Sequence, residues 1–294
     1  MIAFRPPRSR RRGLPAAAAV AGFALALIGA PAALADSVQS SNWAGYAVHR
    51  GGVKFKRVTG TWRQPTATCT PGRATYSSVW VGLGGYNESS KALEQIGAEV
   101  DCNARGKVVS SAWYELVPAP SRTIRMQVRP GDQLKATVTI VGHEVGLQLR
   151  DLTKHHTFTR NIHVSTVDVS SAEWILETPS VCSGKGFVCQ VLPLADFGTA
   201  TITGASASTT RGAVGPISDR SWSTSKITLA SGGHRFIAQG GAPTVSALPS
   251  SLTSRGGAFT VTYQSSTPLV ASSTSVSRSN VRTVPLVRPA RGGG

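Results

Sequence analysis

The 294 residues carry 31 Lys and Arg against 14 Asp and Glu, a formal charge of +17, with 31 glycines and four cysteines. The cations are scattered through turns and strand edges, without interleaved aromatics or a recognition-helix pattern, which argues against a nucleic-acid partner. Four cysteines without a C-x-x-C spacing favour disulfides over a zinc site.

Residues 1–35 read as an export signal: a basic stretch from Arg5 to Arg12, an apolar run from Leu14 to Ile28, and Ala33-Leu34-Ala35 as a small-x-small cleavage site. The run of about 15 residues falls short of the roughly 20 needed to cross a bilayer, so a stable membrane anchor is not expected and the product is expected outside the cell. Ser9-Arg10-Arg11 leaves a twin-arginine route open, although Gly13 stands where that signal carries a bulky apolar residue. Five arginines go with this leader, and the charge falls from +17 to +12.

From Asp36 onward apolar residues alternate instead of recurring every three or four positions, which predicts an all-β chain. Leu134–Ile140, Val145–Leu149, Thr199–Thr203 and Phe259–Tyr263 each present one apolar and one polar face. Turn signals such as Pro71-Gly72, Gly84-Gly85, Pro130-Gly131-Asp132 and Ser231-Gly232-Gly233 recur at short intervals. Short antiparallel strands at this spacing predict a single β-sandwich or barrel over 36–265, with two sheets of about six or seven strands each. Of the three possible disulfide pairings, Cys69–Cys102 with Cys182–Cys189 is favoured, because the latter two flank a glycine-containing loop and could staple a hairpin. Residues 266–294, ending Arg288-Pro-Ala-Arg-Gly-Gly-Gly294, read as a basic, disordered tail.

The common hydrolytic signatures are incomplete. There is no G-x-S-x-G elbow, and His143-Glu144 lacks the second histidine of a zinc helix. No duplicated Asp-Thr-Gly supplies an aspartic dyad, and His155-His156 are adjacent, so no metal or other cofactor is expected. The acids are placed unevenly. Glu94, Glu99, Asp101, Glu115, Glu173 and Glu177 fall in three short segments that also hold Trp113 and Trp174, which makes them site candidates; ion pairing with arginines is expected for Glu94 and Glu173.

At these segments the chain resembles the glutamic peptidases, the eqolisin family. The resemblance is carried by Ser41-Asn-Trp-Ala-Gly-Tyr46, Val58-Thr-Gly-Thr-Trp-Arg-Gln-Pro-Thr66, Ser78-Val-Trp-Val-Gly-Leu-Gly-Gly85, Leu93-Glu-Gln-Ile-Gly97, Ala112-Trp-Tyr-Glu-Leu-Val-Pro118, Ala172-Glu-Trp-Ile-Leu-Glu177 and Leu194-Ala-Asp-Phe-Gly-Thr199, in the family's order. It implies a concanavalin-like sandwich of two antiparallel sheets with the site on a concave face. It also implies a secreted acid endopeptidase acting on proteins or peptides, with Gln95 and Glu177 as catalytic dyad. Trp80, Trp113, Tyr114 and Glu115 would line the substrate cleft, and Glu99 takes a further acidic family position. A monomer is expected.

Peptide hydrolysis needs an activated water, a partner for the oxyanion and a proton for the departing amine. Glu177 could take the water's proton and return it to the nitrogen, while Gln95 offers an amide N–H to the oxyanion and an oxygen to the water. Burial near tryptophan should raise the Glu177 pKa. On a regular strand Glu173, Ile175 and Glu177 share the cleft side, and Trp174 packs in the core.

Thr178 and Ser111 stand where the family commonly has Asp, and the basic chain contrasts with acidic members of the family. Four residues between Ala35 and Ser40 leave no room for a long N-terminal prosegment. The competing reading is a non-catalytic sugar- or peptide-binding module with Trp80 and Trp113 exposed in a groove. A retaining glucanase is disfavoured, because Asn103 and Ala104 supply no second carboxylate after Glu99-Val-Asp101.

Overall fold

Alternation along the chain yields strands and no helix in the computed structural model, which describes residues 36–183, 188–230 and 246–265. The expected export signal and basic tail lie outside the described residues. The first strands are β1 (Asp36–Ser40), β2 (Trp43–His49), β3 (Phe55–Arg63), β4 (Ser78–Gly84), β5 (Leu93–Cys102) and β6 (Val108–Val117). Next come β7 (Arg122–Ile124), β8 (Gln133–Val141), β9 (Glu144–Asp151), β10 (His156–His163), β11 (Ser171–Glu177) and β12 (Ser180–Ser183). The last are β13 (Val188–Val191), β14 (Thr199–Thr209), β15 (Val214–Pro216), β16 (Ser223–Leu229), β17 (Ser246–Pro249) and β18 (Phe259–Gln264). The four segments expected from their alternation fall in β8, β9, β14 and β18.

The main path runs β10-β9-β8-β3-β14-β18-β17-β16-β2-β11-β4-β5-β6-β7. It bends back so that β3 packs against β4 and β11, and β8 and β9 pack against β5. The expected two sheets are therefore joined into one ladder. Among the described residues a single pairing, Leu229 with Ala247, links β16 to β17. Among the described residues the named strands pair antiparallel except for β1, which runs parallel to β16. β12 and β13 form a separate hairpin with Cys182 opposite Cys189 along the backbone; the side chains of that expected disulfide lie outside the described residues. The other expected disulfide, Cys69–Cys102, is present.

Period-two alternation divides the side chains of the β4–β5–β6–β11 layer between two apolar clusters. Val79, Val81, Ile96, Ala98, Ala112, Trp174 and Leu176 point into the large core between the layers. Their neighbours Trp80, Leu93, Trp113 and Ile175 join Trp43, Ala47 and Ile227 in a smaller cluster on the other face. A strand buried on both faces loses the simple apolar-polar pattern, and β11 is buried at all seven positions. Trp174 is fully buried and donates its Nε1–H to Thr59 O at 2.7 Å.

Candidate active site

β11 turns Glu173, Ile175 and Glu177 to the face of the smaller cluster, as alternation requires. Glu177 is 9% exposed, and both its oxygens are occupied. Asn42 Nδ2 donates to Oε1 at 3.0 Å, and Trp80 Nε1 donates to Oε2 at 2.8 Å. Asn42 is itself fixed: Ser40 Oγ donates to its Oδ1 at 3.2 Å, and its carbonyl accepts Thr178 N–H at 2.9 Å. Burial pushes the Glu177 carboxyl up to about 8, and the nearby Glu115 carboxylate pushes the same way; hydrogen bonds from Trp80, Asn42 and Trp43 pull it down. Removal from water outweighs three donors because the surrounding indoles leave no bulk solvent to carry the charge.

Gln95 is 4% exposed and lies opposite Glu115 in the β5–β6 ladder. Its Nε2 donates to Glu115 Oε2 at 2.8 Å, and its Oε1 has no protein partner. One amide hydrogen and one acceptor oxygen are therefore without a protein partner. Burial raises the Glu115 carboxyl, against the donor from Gln95 and a backbone donor at Ser121.

In register, Gln95 pairs with Gly82, which pairs with Glu173, whereas Glu177 pairs with Ser78, which pairs with Glu99. Gln95 and Glu177 thus sit diagonally across β4, on one face, with Trp80 midway between their rows. The indole spans that diagonal: Nε1 reaches Glu177, while Cζ3 comes within 3.0 Å of where a Gly82 Cβ would lie, itself 3.3 Å from Gln95 Cβ. Gly97, beneath Trp80, admits no side chain, because a Cβ there would stand 2.3 Å from Val79 O and 2.6 Å from Trp80 Cβ.

Several expectations need correction. Tyr114 does not line this face: it pairs with Ile96, points into the large core, and stacks on Phe158 at 5.9 Å. Trp80 and Trp113, at 0% and 6% exposure, are wall and not platform, which removes the exposed stacking surface of a binding module. Trp43 meets Trp80 edge-on at 5.0 Å. Glu94 and Glu173 have no arginine partner among the described residues. Burial keeps both uncharged instead, Glu94 at about 8 and Glu173 well above the usual range. Glu99 is half-buried and accepts from Ser111 Oγ at 2.5 Å, so the residue replacing a common Asp supplies a donor in place of a charge. Asp101, on the same strand face, is pushed up to about 7 by burial and by Glu99.

Sequence reasoning gave Asn42 and Trp43 no role, although both lie in the quoted Ser41–Tyr46 stretch. Their signal was a polar-aromatic step at a strand start, with no partner for it nearby in sequence to give it meaning; Asn42 and Glu177 are 135 residues apart.

Residues 41–232 match the profile of the Peptidase A4 family. Aspergillopepsin-2 of Aspergillus niger is 29% identical over 201 residues, covering 60% of this chain and 67% of its own length. Scytalidopepsin B of Scytalidium lignicola is 27% identical over 170 residues, 56% of this chain and 62% of its own length, so this match spans less than two thirds of that relative. Among solved structures, a scytalido-glutamic peptidase with a transition-state analogue inhibitor aligns with a TM-score of 0.61 at 20% identity, over 76% of this chain and 98% of that one. An eqolisin-family peptidase in complex with the tripeptide Ala-Ile-His aligns over the same shares with a TM-score of 0.55 at 20% identity. Both show a shared fold.

Proposed function

Because the chain belongs to the Peptidase A4 family, the eqolisin glutamic peptidases, we propose that it is a secreted acid endopeptidase that hydrolyses peptide bonds with Glu177 and Gln95. The observation that carries this reading is the paired anchoring of the two side chains on one face. Trp80 and Asn42 hold both oxygens of Glu177, and Glu115 pins the Gln95 amide with its oxygen and one hydrogen free. The finer architecture, a concanavalin-like sandwich with this face concave, belongs to the same proposal. So do extracellular localisation, a monomeric state and protein or peptide substrates.

Glu177 in its carboxylate form takes a proton from water as the oxygen attacks the carbonyl. The free Gln95 amide hydrogen meets the oxyanion, and its Oε1 orients the water. Collapse breaks the C–N bond as Glu177 returns the proton to nitrogen. In the free protein burial favours protonated Glu177 below about pH 8. Any donor that a substrate amide or the attacking water adds beside those of Trp80 and Asn42 favours the carboxylate and lowers the value from there.

The test is release of acid-soluble peptides from a denatured protein between roughly pH 2 and 6, comparing wild type with Glu177→Gln and Gln95→Ala, each verified as folded by circular dichroism. Each substitution should lower turnover at least about a hundredfold. Comparable turnover in folded Glu177→Gln would remove the general base and the proposal with it.

A further inference from the structure

The bend between β1 and β2 is closed by one hydroxyl. Ser40, the last residue of β1, is fully buried, and its Oγ accepts Trp43 N–H at 3.0 Å and Asn42 N–H at 3.3 Å. Its carbonyl accepts Ala230 N–H at 2.9 Å, which ties the bend to the residue after β16. Asn42 is equally buried and its own carbonyl is held by Thr178 N–H, so the orientation of its side-chain amide is the freedom left to be fixed.

A hydroxyl has two acceptor positions and one hydrogen to give. Both acceptor positions of Ser40 Oγ are taken by backbone donors, so toward the Asn42 side chain, 3.2 Å away, it acts only as a donor. The Asn42 atom that faces it must therefore be the carbonyl oxygen, which leaves the amide nitrogen to face Glu177 Oε1 at 3.0 Å. The two ends of an amide differ little in shape, so this hydrogen-bond count decides which of them meets the acid. The choice has a chemical consequence. An N–H at that place favours the carboxylate, whereas a carbonyl oxygen there would accept from the protonated acid and favour it instead.

We propose that Ser40 is a positioning residue: its hydroxyl fixes the Asn42 amide with the N–H toward Glu177 and so favours the carboxylate, the form that takes the proton from water. The catalytic consequence rests on the reading of Glu177 as general base; the orientation does not. Burial already sets the Glu177 carboxyl at about 8, so each lost donor leaves less of it ionised at acid pH. Glu115 on β6 pushes the same way, and Glu99 on β5 shares the row of Glu177 across Ser78. From β2 and β4 it is faced by Trp43, Ser78 and Trp80, none of them ionisable. All of these stay unchanged in the variants that test the proposal.

The full chain, labelled with carboxyl-13C glutamate, is titrated by NMR, and the Glu177 signal is identified by its loss in Glu177→Gln. Ser40→Ala should raise the Glu177 midpoint by about one pH unit, as expected for loss of a hydrogen bond to a charged oxygen. Ser40→Thr, which keeps the hydroxyl, should restore it. In an Asn42→Ala background Ser40→Ala should add no further shift, because the residue through which it acts is gone. Ser40→Cys, close in size but a weak donor, repeats the comparison if the alanine chain does not fold, and should move the midpoint the same way. An unmoved or lowered midpoint in the folded variants, or an equal rise with and without Asn42, would overturn the assignment. The titration needs no turnover, so a chain that shows these shifts yet releases no peptides upholds the role of Ser40 and sinks only the peptidase reading.

Discussion

Trp80 donates its indole N–H to Glu177 Oε2 at 2.8 Å while its ring edge reaches the row of Gln95. One side chain therefore both favours the charged form of the acid and sets its spacing from the amide. Trp80→Phe keeps most of the bulk and removes the donor. A hydrogen bond to a charged group contributes about 1.5–3 kcal/mol, so kcat/KM should fall roughly tenfold to a hundredfold. The lost donor was one that lowered the Glu177 pKa, so the limb of the pH–rate profile governed by Glu177 should move to higher pH. A lower rate with an unmoved limb would mean that Trp80 acts by packing alone.

Glu115 acts on both members of the pair, accepting from Gln95 and raising the Glu177 pKa. Glu115→Gln keeps an acceptor oxygen and removes the charge. The Glu177 limb should then shift to lower pH, opposite in sign to Trp80→Phe, with a smaller loss in rate because the amide can still be held. Full pH–rate profiles of the two variants, measured side by side, check the signs.

Much of this site was legible because period-two alternation is rigid. Once Glu177 was placed on a strand, Ile175 and Glu173 had to share its face and Trp174 had to leave it. The same rule, applied to Trp113-Tyr114-Glu115, separates Tyr114 from its neighbours, and the family resemblance that grouped all three carried no such geometry. Burial was less legible. A tryptophan in a cleft motif reads as a platform until the rings of Trp43, Trp80 and Trp113 are seen packed together. The expectation of arginine partners for Glu94 and Glu173 failed for a related reason: in a basic chain a cation is always near in sequence, but a guanidinium placed in either buried position would lose more hydration than a neutral carboxyl gains from it. Asn42 could be recognised only through its contact with Glu177.

The close stack beneath Trp80 yields a steric prediction. An alanine Cβ at Gly97 would meet Val79 O at 2.3 Å and Trp80 Cα at 2.9 Å, both backbone atoms that cannot rotate away. Overpacking of this kind costs about 1–3 kcal/mol or more, equivalent to a drop of some 2–4 °C in Tm per kcal/mol for a domain of this size. Gly51→Ala, where nothing lies within 4 Å, is the control and should leave Tm nearly unchanged. Gly97→Ala should also depress turnover by tilting the indole that spans Glu177 and Gln95; equal Tm for the two variants would show that the strands yield freely.

Stability should be greatest in acid. Burial raises Glu94 and Glu177 to about 8 and Asp101 to about 7, whereas in the unfolded chain these groups titrate near 4. An acid whose folded pKa is raised contributes stability that is fully present below its unfolded value and is lost as pH climbs to the folded value, because the unfolded chain releases its protons first. The window is therefore about pH 4 to 8. Asp101 is partly exposed and counts for less than the other two. Asp168 opposes the trend only below that window: burial pushes it up, but donors from Ser170, Ser90 and Gly85 outweigh burial and leave it lowered, so its contribution disappears as pH falls below 4. Thermal melts should show Tm falling steadily from pH 4 to pH 8. Glu94→Gln, which cannot ionise, should flatten that slope without moving the acid plateau, while a Tm that rises across the window would show that these carboxyl groups are charged in the folded protein.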